Sequence, residues 1–150
     1  METNMKIREV QVSYVPANSK LPVIRTSKDA FTYLQAFYDP NTIGLHEQFM
    51  VLLVNRANRV LGCYQLSKGG LTGTVVDTRI LFGTALKALA SGLILAHNHP
   101  SNNLKPSEED RKITSTLISG GKLLDIAILD HLIIGTENNY ISFADEGWLQ

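Results

Sequence analysis

Leu93-Ile94-Leu95-Ala96-His97-Asn98-His99-Pro100 is an apolar run that ends on two imidazoles and a proline. Four consecutive apolar residues predict a buried strand, along which side chains at i and i+2 face the same way. His97 and His99 therefore converge on one point at the end of that strand. Pro100 has no N–H to donate and stops the ladder there. Residues 101–106 form a returning loop, and Pro106-Ser107-Glu108-Glu109-Asp110 reads as a helix start. Ser107 is its N-cap, and acids fill the first turn. From that turn Asp110 can lean back toward the two histidines. Two His and one carboxylate leave a tetrahedral position for water, which is the arrangement of a catalytic zinc site.

Each piece alone has a plainer explanation. A single His at a strand end is commonly a structural or surface residue, and a capped helix accounts for Ser107 and Asp110. The ordered set His97, His99, Pro100, Ser107 and Asp110 is another matter. At average residue frequencies it arises by chance in a chain of this length on the order of once in 100,000, so the five positions are read together.

His-x-His-Pro, six residues, then Ser-x-x-Asp resembles the JAMM (MPN+, JAB-type) metalloprotease motif without gap or shift. The setting Ile94-Leu95-Ala96-His97-Asn98-His99-Pro100-Ser101 is more narrowly similar to the bacterial RadC family. So are Leu129-Asp130-His131-Leu132-Ile133-Ile134-Gly135 and Tyr140-Ile141-Ser142-Phe143-Ala144-Asp145-Glu146-Gly147, and the resemblance covers roughly residues 45–149. It implies an α/β fold, a three-layer α/β/α sandwich with a mixed sheet of the JAMM/MPN, cytidine-deaminase-like kind. It implies a zinc-dependent metallopeptidase or isopeptidase with His97, His99 and Asp110 as Zn²⁺ ligands, acting on a protein or peptide substrate. Glu47 enters through the resemblance as the base acting on the water: JAMM proteins carry an essential Glu at the head of an upstream strand, whereas a Glu there is otherwise a solvated charge. Ser107 would stabilise the oxyanion with its hydroxyl proton; as a cap it is an acceptor, so both roles fit one side chain. The runner-up is a non-catalytic, DNA-repair-associated RadC-like accessory or binding module. Longer family members carry an N-terminal helix-hairpin-helix segment, and this chain reads as a short form without it. RadC-like chains follow His-Pro-Ser with Gly where this chain has Asn102-Asn103; Asn tolerates the left-handed conformation that Gly would supply.

Working outward, residues 49–54 and 60–66 read as strands joined by the turn Asn55-Arg56-Ala57-Asn58-Arg59, and Ser67-Lys68-Gly69-Gly70 as a loop. A weak edge strand is expected over residues 7–14 and a short strand over 73–76. Ser27 is expected to cap a helix with Phe31, Leu34, Phe37 and Tyr38 on its core face. Asp77 or Thr78 should cap another, with Ile80, Leu81, Ala85, Leu86 and Leu89 buried. The helix from Ser107 is expected to stop at Gly120-Gly121. Strands follow over 126–129 and 132–134, then a turn at Glu137-Asn138-Asn139, a strand over 140–143 and a helix over 145–149. His131, after Asp130, reads first as a satisfied core histidine and second as a partner behind the metal site; it stays outside the catalytic set. Asn98 faces away from the histidines and is structural.

The 150 residues are expected to form one domain, 1–150, with the motif-bearing core at about 27–149. Formal net charge is zero, which gives no basic field to support DNA association. One cysteine, Cys63, excludes an intrachain disulfide and a Cys-x-x-Cys metal knuckle. It also excludes the zinc-deaminase signature. His46-Glu47 would begin a zincin motif, but Met50 stands where the second His belongs. His-Asn-His spells the name of a nuclease family whose residues lie far apart in sequence. With no signal peptide, spanning run or lipidation motif, the expected setting is the cytoplasm, with no membrane partner.

Overall fold

A computed structural model describes residues 7–11, 13, 15, 20–69 and 75–149. Its centre is a pair of strands, β1 (Gln48–Val54) and β3 (Gly92–Asn98), in which every residue is buried. Continuous apolar runs of this kind belong in the middle of a sheet covered on both faces. Around them lie β2 (Val60–Lys68), β4 (Ala127–Ile134) and β5 (Tyr140–Ser142), in the order β2-β1-β3-β4-β5. β3 and β4 are parallel and every other pairing is antiparallel, so the sheet is mixed.

The helices are α1 (Ser27–Gln35), α2 (Thr78–Lys87), α3 (Glu108–Leu124) and α4 (Phe143–Glu146). Met50, Leu52, Val54, Ile94 and Ala96 meet Ala30, Phe31 and Leu34 of α1 on one face of the sheet. Val51, Leu53, Leu93 and Leu95 meet Leu81 and Ala85 of α2 and Leu117 of α3 on the other. The expected α/β arrangement, with a mixed sheet between helices, is the one observed.

Several boundaries differ from the sequence reading. Thr26, not Ser27, caps α1: its hydroxyl accepts from Asp29 N–H while the Asp29 carboxylate accepts from Thr26 N–H, a complete capping box. The Ser27 hydroxyl donates instead to Asp145. In α2 the buried face is the narrower line Leu81, Ala85 and Ala88, while Ile80, Leu86 and Leu89 are exposed. The helix has ended by Leu89, whose φ is 56°. Ser67 and Lys68 extend β2 rather than opening a loop. Residues 7–11 and 13 form no strand, nor do Val75 and Val76; Val12, Tyr14, Gly70, Gly73 and Thr74 lie outside the described residues. Phe143 belongs to α4, because Ser142 caps that helix from the end of β5 and Gly147, at φ 75°, closes it.

Gly120-Gly121 does not end α3, which continues to Leu124 and stops on Asp125 in the left-handed region, φ 55°. The glycines serve close packing. A Cβ on Gly120 would press on the Phe82 ring, and one on Gly121 would be driven into the Ile126 carbonyl oxygen. Gly121→Ala is therefore expected to destabilise the fold by about 1–3 kcal/mol in urea unfolding. Helix propensity alone favours Ala by about 1 kcal/mol, so a stabilised variant would contradict this packing.

The residues 126–134, read as two strands, form one strand with an extra residue in it. Leu93 pairs with Ile128 but Ile94 pairs with Asp130, leaving Leu129 unpaired as a bulge. Ile128 faces the α2/α3 side of the sheet, whereas Leu132 and Ile134 face α1. The bulge has reversed the alternation between them.

Candidate metal centre

The sheet register assembles the site. Phe49 of β1 pairs antiparallel with His97 of β3, so the residue two before Phe49, Glu47, lies on the same face as His97, next to the end of β3. His99 follows two residues after His97 on that face. The His99 N–H donates to the Ile134 carbonyl, which holds the turn against β4. α3 begins across the gap, and Asp110 in its first turn completes the group. Glu47, His97, His99 and Asp110 each offer a ligand atom within 4.8 Å of the others.

The distances divide the four residues. His97 Nε2 and His99 Nε2 are 3.0 Å apart. Asp110 Oδ1 lies 3.1 Å from His97 Nε2, and Oδ2 lies 3.2 Å from His99 Nε2. Glu47 Oε1 stands back at 4.0 Å from His97 Nε2. The edge of a tetrahedron around zinc with N and O ligands is about 3.3 Å, so the two histidine nitrogens fit two corners of one coordination sphere, with the Asp110 carboxylate facing both.

The donor chemistry agrees. His99 Nδ1 lies 2.6 Å from the Asn103 carbonyl oxygen, which can only accept, so Nδ1 carries the proton and Nε2 is bare. Burial by itself would lower the His99 pKa, but the Asp110 carboxylate and the Asn103 carbonyl raise it overall. Burial would raise the Asp110 carboxyl, yet the His97 and His99 imidazoles facing it hold it well below the usual carboxylate range. The cluster draws positive charge, and the residues fit a cation. Burial also raises the Glu47 carboxyl, with His97 and His99 opposing, which moves it toward the pKa of a useful general base.

Asp110 is also structural. Its Oδ2 accepts from Ser107 N–H at 2.8 Å while Ser107 Oγ accepts from Asp110 N–H at 3.0 Å, so the capping box of α3 aims the carboxylate. Ser107 is thus the expected cap, exposed beside the cluster but not within it. His46 is not in the cluster either. Asn98 is structural: its side chain accepts from Gln48 N–H and donates to the Ile43 and His46 carbonyls, tying β1 to β3 just behind Glu47. Asn102 adopts φ 62°, the left-handed conformation its Gly counterpart would supply, and its Oδ1 accepts from Thr136 N–H.

His131 lies outside the catalytic set of the sequence reading, and here the structure adds a residue to the site's surroundings. It is fully buried, with Nε2 2.8 Å from His97 Nδ1 and Nδ1 2.6 Å from Thr114 Oγ1. Burial pushes its pKa well below the ordinary value, so the ring is neutral. It sits in mid-strand, and the bulge at Leu129 turns it to the site face. The gap between the two apolar runs at Asp130-His131 was the only trace of this in the sequence.

Fold and cluster together define an α/β protein with a His/His/Asp/Glu site able to hold a metal ion at the edge of a mixed sheet. The chain belongs to the RadC-like JAB domain family, whose model matches residues 24–148. It is 51% identical over 128 residues to a UPF0758 protein of Flavobacterium johnsoniae, an alignment covering 85% of this chain and 54% of the relative. With a UPF0758 protein of Porphyromonas gingivalis it shares 44% identity over 103 residues, 69% of this chain and 45% of the relative. The chain spans about half the length of the curated relatives it matches. Among the described residues no helix is long and apolar enough to cross a membrane.

Proposed function

We propose that this chain is a zinc-dependent JAMM-type hydrolase that cleaves a peptide or isopeptide bond. The observation that carries the reading is the division within the cluster: two imidazole nitrogens 3.0 Å apart, each with an oxygen of the Asp110 carboxylate at 3.1 or 3.2 Å, and the Glu47 carboxylate set back at 4.0 Å. His97, His99 and Asp110 would hold the metal. When bound, Zn²⁺ supplies Lewis acidity that lowers the pKa of a coordinated water from about 15.7 toward about 7. Glu47 Oε1, 4.0 Å from His97 Nε2, stands where its carboxylate could hydrogen-bond to a water held at the metal. It would take the proton from that water and return it to the leaving amine. The Ser107 oxygen accepts from the helix, which leaves its own proton to meet the oxygen of the scissile carbonyl as charge develops.

The test is a screen of peptide and lysine-linked isopeptide substrates with the zinc-reconstituted chain, read by mass spectrometry. Cleavage that disappears on chelation and returns with zinc is expected; cleavage indifferent to chelator would overturn the reading. Ser107→Gly separates the two roles of that serine, because Gly at an N-cap costs only a few tenths of a kcal/mol. The variant is expected to keep its stability and lose about 10²–10³-fold in kcat. An unchanged kcat would reduce Ser107 to a cap.

A further inference from the structure

The Thr114 hydroxyl lies 2.6 Å from the Asp110 carbonyl oxygen and 2.6 Å from His131 Nδ1. A carbonyl only accepts, so the single hydroxyl proton goes to Asp110, and the Thr114 oxygen is left to accept from His131 Nδ1–H. In a neutral ring this leaves His131 Nε2 bare. His97 Nδ1, 2.8 Å away, must then carry the proton of that bond. In the neutral form of His97 the remaining nitrogen, Nε2, is bare, and it is the atom that faces His99 Nε2 and the Asp110 carboxylate.

We infer that Thr114 and His131 are positioning residues that fix the tautomer of His97, so that its Nε2 lone pair points into the metal site. The bonds form a chain. It leaves the Asp110 backbone carbonyl, passes through Thr114 and His131, and ends on His97, whose bare Nε2 faces the Asp110 carboxylate across the metal site. The opposite order of protons would set the bare His131 Nδ1 against the Thr114 lone pairs at 2.6 Å. It would also place a proton on His97 Nε2, where a metal must bind. The surroundings hold the ring in place. Phe143 stacks on His131 with centroids 4.7 Å apart, and Phe49 meets its edge at 5.6 Å. Thr114, His97 and His131 are all at most 2% exposed, so no solvent competes for the bonds. Partners behind a metal-binding His are commonly carboxylates or carbonyls; here a second imidazole and a hydroxyl carry the polarity back to one backbone carbonyl.

The inference rests on the metal-site reading, and its test separates the two. Two-bond ¹H–¹⁵N spectra of the chelator-stripped full chain distinguish a protonated ring nitrogen from a bare one, with no metal and no substrate. In the wild type, His97 and His131 are both expected to carry the proton on Nδ1. Thr114→Val removes the acceptor with little change of shape, and His97 should then show mixed tautomers. Zinc affinity, measured by chelator competition, should fall about 10–100-fold. Thr114→Ser keeps the hydroxyl and should restore both the tautomer and the affinity. A wild-type His97 that is bare on Nδ1 would overturn the inference, whatever the variants do. A Thr114→Val protein with wild-type tautomer and affinity would overturn it as well. A wild type with the expected tautomers that binds no zinc would sink the hydrolase reading and leave this proton order standing.

Discussion

Replacing Glu47 with Gln is expected to lower turnover by about 10²–10⁴-fold while leaving the bound metal in place. Gln keeps the length and shape of the side chain, and its amide can still hydrogen-bond to a water, but it cannot take a proton. The 4.0 Å separation from His97 Nε2 makes Glu47 the member of the cluster whose loss a three-residue site tolerates. Steady-state kinetics beside metal analysis of the same sample distinguishes this role from that of a fourth ligand. A Glu47→Gln protein that loses its metal would make Glu47 a ligand, and one that retains full turnover would remove it from the chemistry.

Asp110→Ala is expected to act twice. Without metal it breaks the capping box of α3 and removes an acid from the first turn, costing about 1 kcal/mol of stability. It also removes the oxygens that face both histidines. A ligand that binds only the folded state stabilises it by about 4 kcal/mol at 1,000 times its Kd. Wild type should gain stability of that order as zinc is added, and Asp110→Ala should gain almost none. Urea unfolding at several zinc concentrations gives both quantities. A variant stabilised by zinc as much as wild type would place the metal elsewhere.

How far the sequence reached depends on how local each cause was. His97, His99 and Asp110 were legible because strand alternation and a first-turn acid are short-range rules, and the proline and serine between them punctuate the chain clearly. The burial of β3 was legible in its apolar run for the same reason. Glu47 needed the family resemblance: nothing in residues 46–48 says that antiparallel pairing with β3 will bring it to the site. Gly120-Gly121 looked like a helix stop because glycine ends helices. Its actual cause, the approach of Phe82 and of the Ile126 carbonyl, is tertiary. His131 was the hardest to place. Regular alternation from Ile128 would turn it away from the histidines, and only the unpaired Leu129 turns it back. Which residue a strand leaves unpaired depends on its neighbour strand, and that is not written in its own residues.

Metal content measured by elemental analysis, on zinc-reconstituted wild type beside His97→Ala, tests the central claim most directly. A metal held by His97, His99 and Asp110 predicts about one zinc per chain in wild type and almost none in the variant. A wild type that takes up no metal, or a His97→Ala protein that keeps it, would contradict the site.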